Sequence, residues 1–154
     1  GCGRGRLANL LKPYGKVWAY DPEKKVIEYA KKLFDGIEFF SENIDDFIIN
    51  SKEKFDLCVS SEVLEHIPNN QKDIFLKGIN KILKKDGYLI VTTPKAELRE
   101  QWEIEQGVPG QPVEDWISTD DLKNKLKAAD FKVLETSNAF VMNIYQIHLC
   151  QKIK

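Results

Sequence analysis

The first five residues, Gly-Cys-Gly-Arg-Gly, alternate three glycines with Cys2 and Arg4 and lead at once into Leu7, Leu10 and Leu11. A glycine-rich turn running into a helix lets a ligand approach the backbone closely, and the helix amino end favours negative groups. The spacing departs from two known phosphate loops. Arg6 follows Gly5, so the third glycine comes one residue early for G-x-G-x-x-G, and no Gly-Lys-Ser/Thr triplet stands near it. Asp21 lies about twenty residues further on, at the end of the next apolar run, where a carboxylate can accept hydrogen bonds from both hydroxyls of a ribose. It could equally cap a helix starting at Pro22. A second group, Ser60-Ser61-Glu62 and then Leu64-Glu65-His66, ends a later apolar run. The His66 imidazole can act as a base near neutral pH, or it can pack and orient its turn. Glu65 has the same two roles open to it, and His148 is expected to be structural.

Short apolar runs alternate with amphipathic stretches and must position these groups. Val17–Tyr20 (VWAY), Ile37–Phe40, Phe55–Ser60 (FDLCVS) and Tyr88–Thr93 (YLIVTT) read as strands. Pro22 suits the first turn of a helix, with Val26, Ala30, Leu33 and Phe34 on one face. Phe75, Ile79, Ile82 and Leu83 line a second helix, which Asp86-Gly87 turns into YLIVTT. Ser118 starts a third, with Asp121 as capping partner and Leu122, Leu126 and Ala129 inside. Strands near Lys132–Ser137 and Asn143–Gln151 are close in sequence and form an antiparallel pair at the sheet edge. Strands alternating with helices imply a doubly wound α/β fold, its sheet mostly parallel and covered on both faces.

Bulk properties narrow the function classes. The 154 residues suffice for one domain with a real core, and 42% hydrophobic with 31% charged residues is ordinary for a globular protein. A net charge of −1 argues against a nucleic-acid footprint, and lysines such as Lys24, Lys31 and Lys84 read as solvated faces. No apolar run reaches the roughly 20 residues of a membrane helix. Cys2, Cys58 and Cys150 are scattered and odd in number, and no metal site is expected; a reduced, cytoplasmic setting fits.

Taken together, GCGRG, AYDP, FDLCVSSEVLEHI and LKKDGYLIVTTP resemble the class I, seven-stranded methyltransferases that use S-adenosylmethionine, in their small-molecule branch. The likeness runs from Gly1 to about Pro94, with a looser fit of the terminal helix and strand pair. It implies that Gly1, Gly3 and Gly5 pass close to the methionine part and sugar of the cofactor, that Asp21 takes the ribose hydroxyls and that Pro22 lies near the adenine. Asn43 stands where the family places an acidic residue on the adenine amine, with Ile44 beside the ring; an Asn carbonyl can still accept that bond. Ser60, Ser61 and Glu62 would line the methionine end, and Glu65 and His66 are the candidate catalytic groups. The fold so implied hangs the glycine loop from a central strand between VWAY and FDLCVS. That strand is missing from the chain, so upstream residues are expected, and direct pairing of those two strands would refute this.

Methyl transfer from a sulfonium is mostly a matter of alignment, which accords with the lack of a metal cluster or triad, and a base is needed only for a hydroxyl or protonated amine. The segment Pro94 to Trp116 is the expected acceptor-side loop or lid, with Lys95, Arg99, Trp102, Glu103 and Trp116 as an aromatic wall with ionic handles, or as a plain surface excursion. Its polar composition leans to a hydrophilic acceptor. Nucleic acid is disfavoured: Ser-Ser-Glu-Val replaces the Asn/Asp-Pro-Pro-aromatic turn of amino-methylating DNA enzymes. The oligomeric state is left open. Two other readings are a non-catalytic cofactor-fold module, or part of a larger protein, and a nicotinamide oxidoreductase, which the glycine spacing disfavours.

Overall fold

A computed structural model describes residues 1–42, 44–50, 52–108, 110–139 and 143–153. The chain divides into two compact units, Gly1–Ser51 and Lys52–Lys154.

In the first unit, β1 (Val17–Tyr20) and β2 (Ile37–Phe40) pair in parallel, with Val17 opposite Ile37 and Tyr20 opposite Phe40. Both strands have the bounds expected from their β-branched and aromatic residues. Helix α1 (Arg6–Leu11) precedes β1, α2 (Lys24–Leu33) links the strands, and α3 (Ile44–Asn50) follows β2. The core is small: Ala8, Ala19, Ile27, Ala30 and Phe39. Here the helix faces differ from expectation. Ile27 and Ala30 point inward on α2 while Leu33 is 48% exposed, and on α1 the small Ala8 is buried while Leu7 and Leu10 face outward. The α2 cap also differs. Glu23 accepts the Lys25 amide at 3.1 Å, so the helix begins at Lys24 and Pro22 stands ahead of the cap. Helix α3 was not anticipated; Asp45 and Asp46 in its first turn suit the positive end of its dipole.

The second unit contains β3 (Phe55–Ser61), α4 (Lys72–Ile82), β4 (Leu83–Pro94), α5 (Arg99–Gln106), α6 (Thr119–Ala128), β5 (Phe131–Ala139) and β6 (Tyr145–Lys152). Its sheet runs β3-β4-β6-β5, with β3 parallel to β4 and the other two pairings antiparallel. This is the expected antiparallel edge pair. The two parallel pairs, β1–β2 and β3–β4, lie in separate sheets. Leu76, Ile79, Leu89, Val91, Leu122, Leu126 and Phe131 fill the core, each worth about 1.5–3 kcal/mol on burial. On α4 the inner stripe runs Lys72, Leu76, Ile79; Phe75 is only half-buried, and Leu83 begins β4 instead of ending the helix. Ser118 caps α6 as expected, its Oγ accepting from the Asp121 amide at 3.1 Å. The outermost strand, β5, carries a register shift between Val133 and Glu135 and exposes a largely polar row from Lys132 to Asn138. Among the described residues no helix is long and apolar enough to cross a membrane.

A buried polar chain ties the last strands together. His148 is fully buried, its Nδ1 at 3.1 Å from Thr136 Oγ1 and its Nε2 at 2.9 Å from Gln146 Oε1, while Gln146 donates to the Ile117 carbonyl at 3.0 Å. Burial, with Lys123 adding to it, pushes the imidazole down to about 4 from an ordinary 6.5. Between those values the unfolded chain takes up a proton that the folded chain refuses. Stability from this site is therefore complete above pH 6.5 and drains as pH falls toward 4, by about 3 kcal/mol. Urea unfolding at pH 7.5 and 4.5 should show this loss in the wild type and a smaller one in His148→Gln. Equal losses would remove His148 from the acid response.

Candidate functional site

The glycine loop is organised by its neighbours in the first unit. The Cys2 amide donates to the Tyr20 carbonyl at 2.8 Å, and the Gly5 amide closes a turn onto the Cys2 carbonyl at 3.0 Å. Gly3 and Gly5 both sit at positive φ, 52° and 79°, which any side chain resists. Their surroundings differ. A Cβ on Gly5 would lie 2.8 Å from Phe39 Cζ, whereas one on Gly3 would meet no atom within 4 Å. Gly5 is thus required by packing, and Gly3 borders open space.

Asp21 joins the loop to the strand end. Its Oδ2 accepts the Gly3 amide at 2.9 Å and its Oδ1 accepts the Glu23 amide at 3.0 Å. The carboxylate has about four lone-pair sites, so each oxygen keeps capacity for a further donor. An aromatic group stands nearby: Tyr20 against Phe40 at 5.2 Å between centroids, and Phe40 against Phe47 of α3 at 4.7 Å. These rings were not singled out in the sequence, although the FF pair before Ser41 was the available signal. Burial raises the Tyr20 phenol, with Asp21 and Asp45 adding to the effect. Ile44 opens α3 and is half-buried. The candidate Asn43 lies outside the described residues.

The second unit gathers the carboxylates. Ser60 is buried and its Oγ finds no hydrogen-bond partner among the described residues. Ser61 Oγ lies 3.0 Å from Thr92 Oγ1, which donates to Glu62 Oε1 at 2.7 Å. Glu62 takes a positive φ of 55°, an uncommon conformation for such a residue and one that clusters at functional sites. The next threonine, Thr93, donates to Glu65 Oε2 at 2.9 Å. Consecutive residues of β4 therefore hold one glutamate each. His66 Nδ1 is 3.2 Å from the Val113 carbonyl, which can only accept, so Nδ1 is the donor in that contact. Nε2 is 3.8 Å from Glu65 Oε1, and Nδ1 is 3.5 Å from Glu114 Oε1.

Burial pushes the Glu62 carboxyl up to about 7 against the pull of Thr92, and neighbouring Glu65 adds to the rise. Glu65 is raised in turn, chiefly by burial, with Glu114 contributing. Beneath them the Lys72 side chain is fully buried, its ammonium bonded to the Ile67 carbonyl at the end of the Leu64–His66 turn. Burial lowers this amine while Asp115 and Glu65 raise it.

These groups open on a cleft of about 260 Å³ within the second unit, lined by Glu62, Glu65, His66 and Glu114 together with Trp102, Trp116 and Tyr145. Of the acceptor-side candidates, the two tryptophans reach it, 6.5 Å apart between centroids. Lys95 and Arg99 are not among its walls. Arg99 instead pairs with Glu103 at 2.7 Å, bonds the Glu114 carbonyl and lies over the Trp116 ring at 5.7 Å. The 94–116 segment is less irregular than expected, since it holds a 3-10 turn at Ala96–Leu98 and α5. Burial pushes the Cys58 thiol up to about 11.

Comparison with known proteins gives a consistent outcome. A family profile described as a methyltransferase domain matches residues 1–136. The ubiquinone biosynthesis O-methyltransferase of Pelagibacter ubique is 33% identical over 104 residues, covering 64% of this chain and 42% of that protein. The mitochondrial enzyme of Bos taurus is 34% identical over 101 residues, 60% and 27% of the two chains. The chain thus spans less than half the length of these relatives. Among solved structures, an S-adenosylmethionine-dependent methyltransferase of Clostridium acetobutylicum superposes with a TM-score of 0.79 at 15% identity, covering 99% of this chain and 82% of that one. The N-methyltransferase NodS of Bradyrhizobium japonicum, bound to S-adenosylhomocysteine, gives 0.76 at 18% identity, covering 100% and 76%.

Proposed function

We propose, for a chain that belongs to the methyltransferase-domain family and has its class I fold, that it transfers the methyl group of S-adenosylmethionine to oxygen or nitrogen of a small polar acceptor. The bond from Gly3 to Asp21 carries this reading, because it fixes a carboxylate with spare acceptor capacity beside a glycine whose Cβ position is open. In the first unit, then, Gly1, Gly3 and Gly5 pass along the cofactor, Asp21 takes the ribose hydroxyls, and Pro22 and Ile44 border the adenine. For Ser60, Ser61 and Glu62, described within the second unit by itself, the methionine-end role is the one the family resemblance implies.

S-Adenosylmethionine supplies an activated methyl group on its sulfonium. The chain's work is to align the acceptor, shield it from water and, where the acceptor carries a proton, to receive it. His66 Nε2 and Glu65 are the groups placed for that receipt, and Trp102 and Trp116 form the acceptor wall. The curated relatives are named for O-methylation, so hydroxyl acceptors belong in the first panel tested. A reduced cytoplasmic setting is part of the same reading, supported by three cysteines that are all free thiols.

Calorimetry with S-adenosylmethionine and S-adenosylhomocysteine provides the direct test. Saturable binding of both at one site per chain is expected. Absence of binding to folded protein, or preferential binding of NADH, would overturn the proposal.

A further inference from the structure

The face of β6 that meets the main core carries Gln146, His148 and Cys150 at alternate positions, and all three are fully buried. Of these only Cys150 belongs to the apolar cluster. Burying an amide and an imidazole costs free energy unless each is hydrogen-bonded, and apolar residues of like volume can serve stability as well. Two polar residues at such positions call for a role that apolar ones cannot fill.

The direction of the bonds shows that role. The Ile117 carbonyl can only accept, so Gln146 turns its Nε2 toward it, at 3.0 Å, and leaves Oε1 to accept. His148 Nε2, 2.9 Å from that oxygen, therefore carries the hydrogen. With the imidazole held neutral by burial, Nδ1 accepts from Thr136 Oγ1 at 3.1 Å. Each hydrogen in the chain points toward Ile117. The Gln146 amide cannot flip without setting its own N–H groups against that of His148.

Ile117 is where the wall of the cleft rejoins the sheet. The chain leaves β4 at Lys95 and returns at Ile117, and these two residues form a parallel bridge. The Ala96 amide shares the Ile117 carbonyl at 3.1 Å, and the Lys95 amide donates to the Ile144 carbonyl at 2.9 Å. Trp116 directly precedes this anchor. Its ring lines the cleft 6.5 Å from Trp102, with the Arg99 guanidinium over it at 5.7 Å. Gln146 is not among the cleft walls, so it reaches the cleft only through the backbone it holds.

We infer that Gln146 is a positioning residue for the acceptor wall: its amide, oriented by His148, pins the Ile117 carbonyl and so sets where Trp116 stands in the cleft. The inference rests on the reading of the cleft as the acceptor site. It gives the polar face of β6 a purpose that apolar packing could not supply, because only a buried donor can fix a backbone carbonyl in one place.

Two variants of the full chain provide the test. Gln146→Met keeps the length of the side chain and removes the donor. Thr136→Val removes the outermost bond and leaves Gln146 on Ile117, with His148 Nε2 still facing the Gln146 oxygen. Both lose a hydrogen bond and should unfold at lower denaturant. Only Gln146→Met should shift the Trp116 indole N–H resonance and speed solvent exchange of the Ala96 amide, by about tenfold. A Trp116 resonance unmoved in Gln146→Met, or moved alike in Thr136→Val, overturns the inference. Should Gln146→Met fail to fold, the wild type decides alone. Its Gln146 side-chain amide should exchange as slowly as the Ala96 amide, and rapid exchange overturns the inference.

Calorimetry with S-adenosylhomocysteine on the same samples keeps the two readings apart. Affinity in Gln146→Met should stay close to that of the wild type, and a tenfold loss would make Gln146 a general support and overturn its assigned role. Wild-type binding with Trp116 unmoved in the variant removes only the role of Gln146. A shifted Trp116 in a protein that binds no S-adenosylhomocysteine leaves Gln146 in place and removes the methyltransferase activity.

Discussion

Asp21→Ala is expected to lower the affinity for S-adenosylmethionine about a hundredfold, near 2.7 kcal/mol, while leaving the chain folded. The size follows from what the carboxylate does. Hydrogen bonds to a charged group are worth about 1.5–3 kcal/mol each, and the proposed ribose contacts would use both oxygens. The mutation also removes the acceptor for the Gly3 amide, so the loop loses the tie that holds it against the strand end. Asp21→Asn should retain part of the affinity, because an amide oxygen can serve one of the two directions. Calorimetry reads the affinity, and circular dichroism confirms that secondary structure survives. An Ala variant that binds as tightly as wild type would strip Asp21 of the ribose role and leave it a purely local device, bonding Gly3 and Glu23.

The second large effect separates two glycines that stand two residues apart. Gly5→Ala should destabilise the protein by about 3 kcal/mol, combining roughly 1–2 kcal/mol for the left-handed conformation with about 1–3 kcal/mol for crowding a packed core. The crowding is specific: the new methyl would press on the buried Phe39 ring at 2.8 and 2.9 Å and approach Phe34 at 3.3 Å. Gly3→Ala pays only the conformational part, about 1 kcal/mol, since its Cβ meets no protein atom. Its effect should instead fall on cofactor binding, because the methyl enters the space the ligand is proposed to use. Denaturant unfolding and calorimetry on the pair should therefore give crossed results. If Gly3→Ala binds S-adenosylmethionine normally, the open space beside Gly3 is not the cofactor's path.

Several elements were legible because their residues leave little choice. VWAY and IEFF carry β-formers closed by turn residues, and both strands end where those residues end. The antiparallel pair at the sheet edge followed from the short gap between two β-rich stretches. Helix faces were harder. Leucines at helical spacing in α1 and α2 look inward on paper, yet Leu10 is 68% exposed and Leu33 48%, while Ala8 and Ile27 take the buried positions. Apolar type does not dictate burial on short helices, because much of any protein surface is apolar. Lys72 was invisible for the opposite reason. Its four methylenes continue the Leu76–Ile79 stripe, and a single carbonyl suffices to hold its ammonium below the turn.

The same limit applied to the site. Gly3 and Asp21 stood out by type and spacing, and Glu62, Glu65 and His66 through the family resemblance of FDLCVSSEVLEHI. Thr92, Thr93, Glu114 and Tyr145 did not, since they come from β4, a loop and β6 and meet the glutamates only once the sheet has formed. One signal was available: the hydroxyl pair of YLIVTTP ends an otherwise apolar strand, where buried hydroxyls need partners. Trp102 and Trp116 do line one cleft, whereas Arg99 turns away to bind Glu103 and the Glu114 carbonyl.

The irregular outer strand β5 has a consequence for the protein's behaviour in concentrated solution. A strand at the end of a sheet offers its free backbone groups as a template for another molecule. Here the extra residue at Leu134 breaks the even spacing such a template needs, and Lys132 and Glu135 place charge on either side of it. That end of the sheet is thereby blunted against edge-to-edge aggregation by its own kink and charges.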